Sequence, residues 1–161
     1  IKELMTLSID ENMSHLLSDD ELEAAKESMG LDTQLIKDKT YFVIFKEDTF
    51  IGCGGFSYRK TLFGGDHTPN RSDELLDPVT EPAKIRAMYT HPDWVRKGVG
   101  TYILNLAEKE CVKRGFKNVE LMATVSGKLL YEKRNYQVLE QISYQSKIGN
   151  KVPMYRMIKK I

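Results

Sequence analysis

From Lys84 to Thr101 the chain reads KIRAMYTHPDWVRKGVGT, and this segment carries the strongest structural signals in the sequence. Its first residues, 84–90, alternate in the way that a half-buried strand does, and Pro92 ends the alternation. The glycines of 98–100 then precede a helical pattern over about residues 100–114. A strand, a glycine loop and a helix therefore follow one another in the middle of the chain.

The glycine loop predicts a site for an anion. Glycine lets the backbone approach a ligand closely, and the first N–H groups of a helix have no partners within it. Arg96 and Lys97 add positive charge beside the positive end of the helix dipole, so a pyrophosphate fits here. A glycine-rich helix start with exposed basic residues gives the same pattern. The loop is neither a Walker loop, since no Gly-Lys-Ser/Thr follows, nor a dinucleotide fingerprint, since the third glycine is absent.

Two helices and a hairpin are predicted before this segment. Apolar residues recur at helical spacing over 1–17, and a serine cap precedes a second helix over 19–29. The β-rich runs 41–45 and 50–56 flank a short polar connection, which predicts a hairpin. Residues 59–81 contain prolines, a glycine pair and five acidic side chains, so we predict a long ordered loop there. Such loops in compact domains usually serve function.

The C-terminal part of the chain continues the alternation of strands and helices. It predicts a strand over 117–123, a short helix over 127–134 and strands near 136–145 and 152–159. The order α-α-β-β-β-α-β-α-β-β describes a mixed α/β sheet, because helical connections imply crossovers and hairpins imply antiparallel pairs. The sequence contains no repeat or linker, so we predict a single domain over 1–161.

Composition places this domain among soluble globular proteins. It has 161 residues, with 24 Lys and Arg against 23 Asp and Glu, and 41% hydrophobic residues. Its apolar runs fall short of the roughly 20 residues that a membrane span needs, so no membrane association is expected. Cys53 and Cys111 form no metal or disulfide motif, which favours a reducing cytoplasm. No histidine neighbours Cys53, so we interpret it as a small buried residue rather than a nucleophile.

The net charge of +1 hides a gradient along the chain. Residues 1–83 carry a net charge of −9, residues 84–134 carry +6 and residues 135–161 carry +4. This asymmetry indicates either that the later part faces an anion or that charged helix faces are simply solvated. Nucleic acid is not an expected partner, because the basic part lacks interleaved exposed aromatic residues.

Three blocks of the sequence resemble a known family. Residues 85–92 (IRAMYTHP), 96–100 (RKGVG) and 131–136 (YEKRNY) are similar to successive signature blocks of the GNAT superfamily of acetyl-CoA-dependent N-acetyltransferases. The resemblance in element order covers nearly the whole chain. It implies a GNAT-like α/β fold, a mixed and mostly antiparallel splayed sheet flanked by helices. The family's first strand would then precede Ile1.

The resemblance also implies roles for individual residues. In such enzymes the strand before the loop binds the acyl carbonyl and the pantetheine arm with free backbone groups, here on Met88, Tyr89 and Thr90. The loop would hold the pyrophosphate through Arg96, Lys97, Gly98, Val99, Gly100 and Thr101. Tyr131 would protonate the leaving thiolate; without the resemblance, a ring packed in the core is an equally good interpretation of this residue.

Two positions depart from the family's pattern. Val95 stands where Gln or Arg is usual, which removes a side-chain contact to the cofactor and leaves the loop amides intact. Asn135 replaces a common glycine, and asparagine accepts the same left-handed backbone geometry.

The general base is not evident from the sequence. An amine with a pKa of about 10.4 is almost wholly protonated at neutral pH and has to lose its proton before it attacks. Histone-type members of the superfamily carry a glutamate where this chain has Lys84. Four other side chains remain as candidates, acting directly or through water: Asp66, His67, Glu81 and Glu120.

The resemblance predicts an enzyme that moves an acetyl group from acetyl-CoA to an amine, on a small molecule or a peptide, without a metal. A non-catalytic acyl-CoA-binding module that senses or regulates is the alternative. The acidic side chains of the loop 59–81 favour a cationic acceptor. The oligomeric state stays open, with a homodimer as one option.

Overall fold

The structure, a computed structural model, describes residues 1–161 and contains one six-stranded sheet in the order β1-β2-β3-β4-β6-β5. The strands are β1 (Tyr41–Lys46), β2 (Thr49–Ser57), β3 (Ala83–Thr90), β4 (Asn118–Ala123), β5 (Gln137–Gln145) and β6 (Lys151–Lys160). The helices are α1 (Lys2–Met13), α2 (Asp19–Ser28), α3 (Thr33–Lys37), α4 (Val99–Lys113) and α5 (Lys128–Lys133), with a 3-10 turn at Pro92–Trp94. No helix combines the length and the apolarity that a bilayer crossing requires.

The sheet opens between β3 and β4. All other neighbouring strands are antiparallel, whereas β3 and β4 run parallel and pair only at Ala83 with Val119 and at Lys84 with Glu120. Beyond these pairs the two strands diverge, so the later part of β3 has one free edge. The predicted fold, a mixed and mostly antiparallel splayed sheet with flanking helices, is confirmed.

Local sequence signals account for most of the helix boundaries. Ser18 and Glu21 form a complete capping box at the start of α2, with hydrogen bonds of 2.8 and 3.3 Å. The first helix ends at Met13, four residues before the predicted limit, and a turn follows. Helix α3 was not predicted, because five residues are too few to show apolar periodicity; its cap is Asp32, which accepts from the Gln34 N–H at 3.1 Å.

The sheet separates two apolar layers, since successive side chains of a strand point to opposite faces. On one face, Leu104 of α4 belongs to a buried cluster with Leu121 of β4. On the other face, Ile9 of α1 belongs to a cluster with Tyr89 of β3 and Met154 of β6. At the gap between β3 and β4, no paired strands separate the two layers.

Glycines of β2 let α4 lie close to the sheet. A Cβ on Gly52 would be 2.5 Å from Cγ1 of Val99 and 3.2 Å from Cδ1 of Ile103. Because no side chain intervenes, the first turn of α4 sits directly against β2 and beside the end of β3. This packing fixes the start of α4 next to the open part of the sheet.

Residues 59–81 form the predicted long loop, which ion pairs and hydrogen bonds hold in place. Nε of Arg59 lies 2.7 Å from Oδ2 of Asp38, and the same guanidinium donates to the carbonyl of Asp73. Oδ1 of Asp66 accepts from the Thr33 N–H at 3.0 Å. The loop is thereby fastened to both ends of α3.

Both thiols are expected to be inert in the folded protein. Cys53 and Cys111 are free and fully buried, and burial raises the pKa of Cys53 to about 11 and that of Cys111 to about 12. At pH 8 about one Cys53 in a thousand would be a thiolate, against roughly a quarter for an unperturbed cysteine. We expect no reaction with a thiol-specific dye under native conditions and two equivalents after unfolding. Rapid labelling of the folded protein would contradict the buried assignment.

Candidate functional site

A cavity of about 590 Å³ lies at the gap between β3 and β4. Its wall includes Leu121 and Tyr131 from the layer of α4, and Ile9 and Met154 from the layer of α1, so the cavity reaches both faces of the sheet. We call the part lined by α1, residues 28–30 and residues 62–64 the α1 chamber. The start of α4 and the residues around α5 line the remainder.

The glycine loop has the backbone geometry of an anion site. Gly98 has φ +86° and Arg96 has φ +59°, so the loop is left-handed at two positions. Gly98 is the N-cap of α4 and offers no side chain to the first N–H groups of the helix. Gly98, Val99, Gly100 and Thr101 all line the cavity. Unpaired N–H groups and the positive end of the helix dipole therefore meet at the cavity wall.

Thr90 and Met88 of β3 lie beside the gap. The His91 N–H donates to the carbonyl of Ile51 in β2 at 2.9 Å, so Thr90 directs its backbone groups away from β2. The register with β2 shifts next to Met88, where Ala87 has φ +51°, which marks a bulge in the strand. The pairing of β3 with β4 has ended before these residues, and both line the cavity.

One of these backbone groups already has a partner from α1. Nδ2 of Asn12 donates to the carbonyl of Thr90 at 2.9 Å and to Oγ of Ser8 at 3.1 Å. The Tyr89 hydroxyl, in the apolar layer of α1, accepts from the Gly30 N–H at 3.3 Å. Both contacts fasten the wall of the α1 chamber to β3.

Tyr131 is a buried residue of the cavity wall. Its ring packs edge-on against Tyr136, with centroids 5.7 Å apart. Burial alone raises the pKa of the Tyr131 phenol well above its usual range. Because the raised pKa favours the neutral form, the hydroxyl keeps its proton throughout the physiological pH range. A protonated phenol at this position can donate to a developing anion in the cavity.

Most of the predicted cofactor residues line the cavity, but the Lys97 side chain does not. Nζ of Lys97 donates to the carbonyl of Asp93 at 2.8 Å and lies 5.2 Å from the centroid of the Trp94 ring. Val95 and Arg96 are in the wall. The expected left-handed backbone at Asn135 is observed, with φ +68°. The sequence predicts that Lys97 lies at the pyrophosphate site. In the structure its side chain binds the preceding turn instead.

The structure brings none of the four candidate bases into the cavity wall. Asp66 caps the start of α3, and Nε2 of His67 lies 2.8 Å from the carbonyl of Glu27. Oε2 of Glu81 accepts from the Asp77 N–H at 2.8 Å. These three side chains stabilise turns and loop contacts. The acids of the loop 59–81 do not line the cavity either, since its wall contains no Asp, Glu or His, so the wall gives no support to the expectation of a cationic acceptor.

Glu120 belongs to a buried ion network at the point where the sheet begins to open. Its carboxylate pairs with Nζ of Lys84 across the β3–β4 pair and accepts from Nε of Arg156 at 2.8 Å. The side chains of Glu120 and Lys84 are only 3% and 8% exposed. With a cation on either side, this carboxylate holds β3, β4 and β6 together and is not free to take a proton from a substrate.

Replacing Glu120 with glutamine is expected to destabilise the fold by about 3 kcal/mol. The change leaves the buried Lys84 ammonium without its counter-charge, and breaking a buried pair from one side costs about 3–5 kcal/mol. Glutamine keeps a hydrogen-bond acceptor, so we expect a loss at the lower end of this range. The free energy of unfolding from urea titration measures the loss, with Glu110→Gln, which breaks an exposed pair with Lys113, as the matched control. Equal stability of the two variants would show that the network does not brace the sheet.

Asn12, Arg86 and Lys133 are among the wall residues that were not predicted as site residues. Asn12 and Arg86 reach the cavity from α1 and from β3, and Lys133 reaches it from α5. Lys133 lies inside the block 131–136 and is recognisable from the resemblance. Asn12 shows no local signal, because its partner Thr90 is 78 positions away. Arg86 resembles any charged residue on an alternating strand until its buried partner is known.

A splayed sheet with a cavity at its gap, and a glycine-capped helix start at the edge of that cavity, is the architecture of an acyltransferase. A family model described as acetyltransferase (GNAT) family matches residues 10–136, and the chain belongs to that family. Comparison of the sequence with curated proteins gives no match.

Solved structures show the same fold at low sequence identity. A GCN5-related N-acetyltransferase from Rhodopseudomonas palustris superposes with a TM-score of 0.70 at 18% identity, covering 99% of this chain and 87% of its own. The PaiA N-acetyltransferase of Thermoplasma acidophilum, solved with coenzyme A, gives 0.63 at 16%, covering 99% and 89%. YncA of Salmonella typhimurium, solved with acetyl-CoA, gives 0.61 at 13%, covering 98% and 86%.

Proposed function

We propose that this protein transfers the acetyl group of acetyl-CoA to an amine by direct attack on the thioester. The proposal depends above all on one observation, that a single cavity is lined by the start of α4, by Met88 and Thr90 of β3, and by Tyr131. The two relatives solved with CoA or acetyl-CoA support the choice of donor.

The diphosphate of CoA would lie on the N–H groups at Gly98–Thr101, beside Arg96. Lys133, in the wall at α5, supplies a further positive charge. The pantetheine arm would follow β3 and add to its free edge, because extended polar chains pair well with unoccupied strand groups. The Met88 N–H would then hold the acetyl oxygen and stabilise the charge that forms on it during attack.

The chemical step needs one proton removed and one supplied. The neutral amine nitrogen attacks the thioester carbon, a C–N bond forms, and the C–S bond breaks with its electron pair on sulfur. Tyr131 would donate its proton to that sulfur, which is the role of a general acid, and the phenolate would then regain a proton from water. Because the wall contains no Asp, Glu or His, the amine proton would leave to water. This favours acceptors whose amine is neutral in an appreciable fraction at the working pH.

A thiol-release assay with a panel of amines tests the proposed function, alongside calorimetric titration with CoA. We expect CoA binding and acetyl-CoA-dependent thiol release with at least one class of amine, with the acetylated product identified by mass spectrometry. CoA binding without turnover on any amine would overturn the transfer reaction and favour the sensing module. Absence of CoA binding would overturn both.

A further inference from the structure

The α1 chamber has no negatively charged side chain in its wall, which is unusual for a site that would receive an amine. Its surface is mostly apolar, with Ile9, Met13, Met29, Leu62 and Phe63 in the wall. No carboxylate lies in the wall of the cavity, and the one charged side chain next to this chamber is Arg86 on β3. A cationic acceptor such as a polyamine would find no counter-charge here, and its second ammonium would face an arginine.

Arg86 belongs to a buried cluster with one more arginine than carboxylates. Its guanidinium donates to Oδ2 of Asp32 at 2.7 Å, while Oδ1 of the same aspartate accepts from Arg71 at 2.8 Å. The side chains of Asp32 and Arg86 are 1% and 2% exposed, and that of Arg71 is 22% exposed. Two guanidinium groups therefore share one carboxylate, and the cluster keeps a net charge of +1.

The hydrogen bonds of Arg86 leave part of its guanidinium unused. Nη1 donates to the carbonyl of Thr61, and Nη2 donates to Asp32 and to the carbonyl of Gly64, each at 2.7 Å. No group of the chain accepts from Nε. Gly64 and Arg86 both line the α1 chamber, and Arg86 also lines a second, polar cavity of about 250 Å³ together with Asp32 and Arg71. The Nε–H can still donate one charge-assisted hydrogen bond to a carboxylate.

We propose that the acceptor is an amino acid with an apolar side chain, which binds its carboxylate at Arg86 and its side chain in the α1 chamber. This inference rests on the proposed acetyl transfer. A carboxylate at Arg86 would offset the excess positive charge of the Asp32, Arg71 and Arg86 cluster. The apolar wall would accept the side chain of such an acceptor.

The position of Arg86 suits this acceptor. It lies two residues before Met88 on the same strand, so the two positions are at most about 7 Å apart along the chain. With the carboxylate at Arg86, the amine can reach the acetyl carbon held at the Met88 N–H. The nitrogen then forms the new C–N bond and loses its proton to water, and the C–S bond breaks with the proton of Tyr131 passing to sulfur.

Three acceptors that differ in one group test the inference with the unmodified protein: L-leucine, L-leucinamide and 3-methylbutylamine. All carry the same apolar chain, and only leucine carries a carboxylate. The amine pKa of leucine lies between those of the other two, so amine basicity cannot explain a preference over both. We expect kcat/KM for leucine to exceed that for each analogue by roughly 10- to 100-fold, the range for a hydrogen bond between charged groups.

Two arginine variants test whether the cluster is the cause. Arg71→Gln removes the excess charge while leaving Arg86 paired with Asp32, and we expect the preference for leucine to fall by roughly 10-fold. Arg59→Gln is the control, because Arg59 is paired one-to-one with Asp38 and does not line the cavity. It should keep the preference of the unmodified protein. Thermal unfolding of both variants confirms that each is folded.

The outcomes separate this inference from the proposed function. Turnover of all three acceptors with equal kcat/KM would overturn carboxylate recognition and leave acetyl transfer intact. An unchanged preference in Arg71→Gln would overturn the assignment to the cluster. If CoA binds but neither these three acceptors nor any other amine is acetylated, both the proposed function and this inference fail.

Discussion

Replacing Tyr131 with phenylalanine is expected to lower kcat by about 10²- to 10⁴-fold, the usual contribution of a general acid. Negative charge builds on the leaving sulfur only in the transition state, so the lost proton donor affects kcat and leaves CoA affinity nearly unchanged. Phenylalanine keeps the ring and its edge-on contact with Tyr136. Steady-state kinetics and a CoA titration of the variant measure the two effects separately.

Tyr136→Phe is the matched control for this experiment. Tyr136 is also buried, donates its hydroxyl proton to Oε1 of Glu108 at 2.9 Å and does not line the cavity. Its loss should lower stability by about 1 kcal/mol and leave kcat unchanged. If Tyr131→Phe instead behaves like this control, with normal kcat and a small loss of stability, Tyr131 is a packing residue.

The pH dependence of kcat gives an independent check on Tyr131. Burial raises the pKa of its phenol, so the proton-donating form persists to higher pH than for an exposed tyrosine. We therefore expect no fall in kcat below about pH 10 that depends on Tyr131. A descending limb between neutrality and pH 9 that disappears in Tyr131→Phe would contradict the raised pKa.

Gly98→Asp is expected to abolish measurable CoA binding, a loss of about 10³-fold or more. A carboxylate here would lie where the diphosphate is proposed to bind, and like charges placed together cost several kcal/mol. A Cβ at this position meets nothing within 4 Å, so the chain itself has room for the new side chain. The expected defect is therefore in binding, and calorimetric titration with CoA measures it.

Gly98→Asn separates the effect of the carboxylate charge on CoA binding from the effect of the side chain's size. Asparagine matches aspartate in size and tolerates the φ of +86° at this position better than other residues do. We expect Gly98→Asn to bind CoA more weakly than the unmodified protein but far more tightly than Gly98→Asp, with similar unfolding temperatures. Wild-type affinity in the folded aspartate variant would exclude the loop as the diphosphate site.

Several parts of the fold and the site depend on short-range properties and were predictable from sequence. The capping box at Ser18 and the left-handed positions at Gly98 and Asn135 follow from the conformational preferences of a few consecutive residues. The block containing Tyr131 was recognisable by resemblance, and the structure places its side chain in the cavity wall. Helix α3 was missed, since five residues are too few to show apolar periodicity.

By itself, the sequence determined the order of helices and strands, the glycine loop before α4 and the family, because backbone preferences and apolar periodicity act between near neighbours. Only the tertiary structure decided which charged side chains face the cavity. Asp66, Glu81 and Glu120 bind partners elsewhere, and Lys97 donates to the preceding turn. Arg86 meets Asp32 across 54 positions of sequence. Such pairs form because a charge that folding removes from water needs a partner of opposite charge. The partner is often distant in sequence, so no local pattern predicts which residue it is.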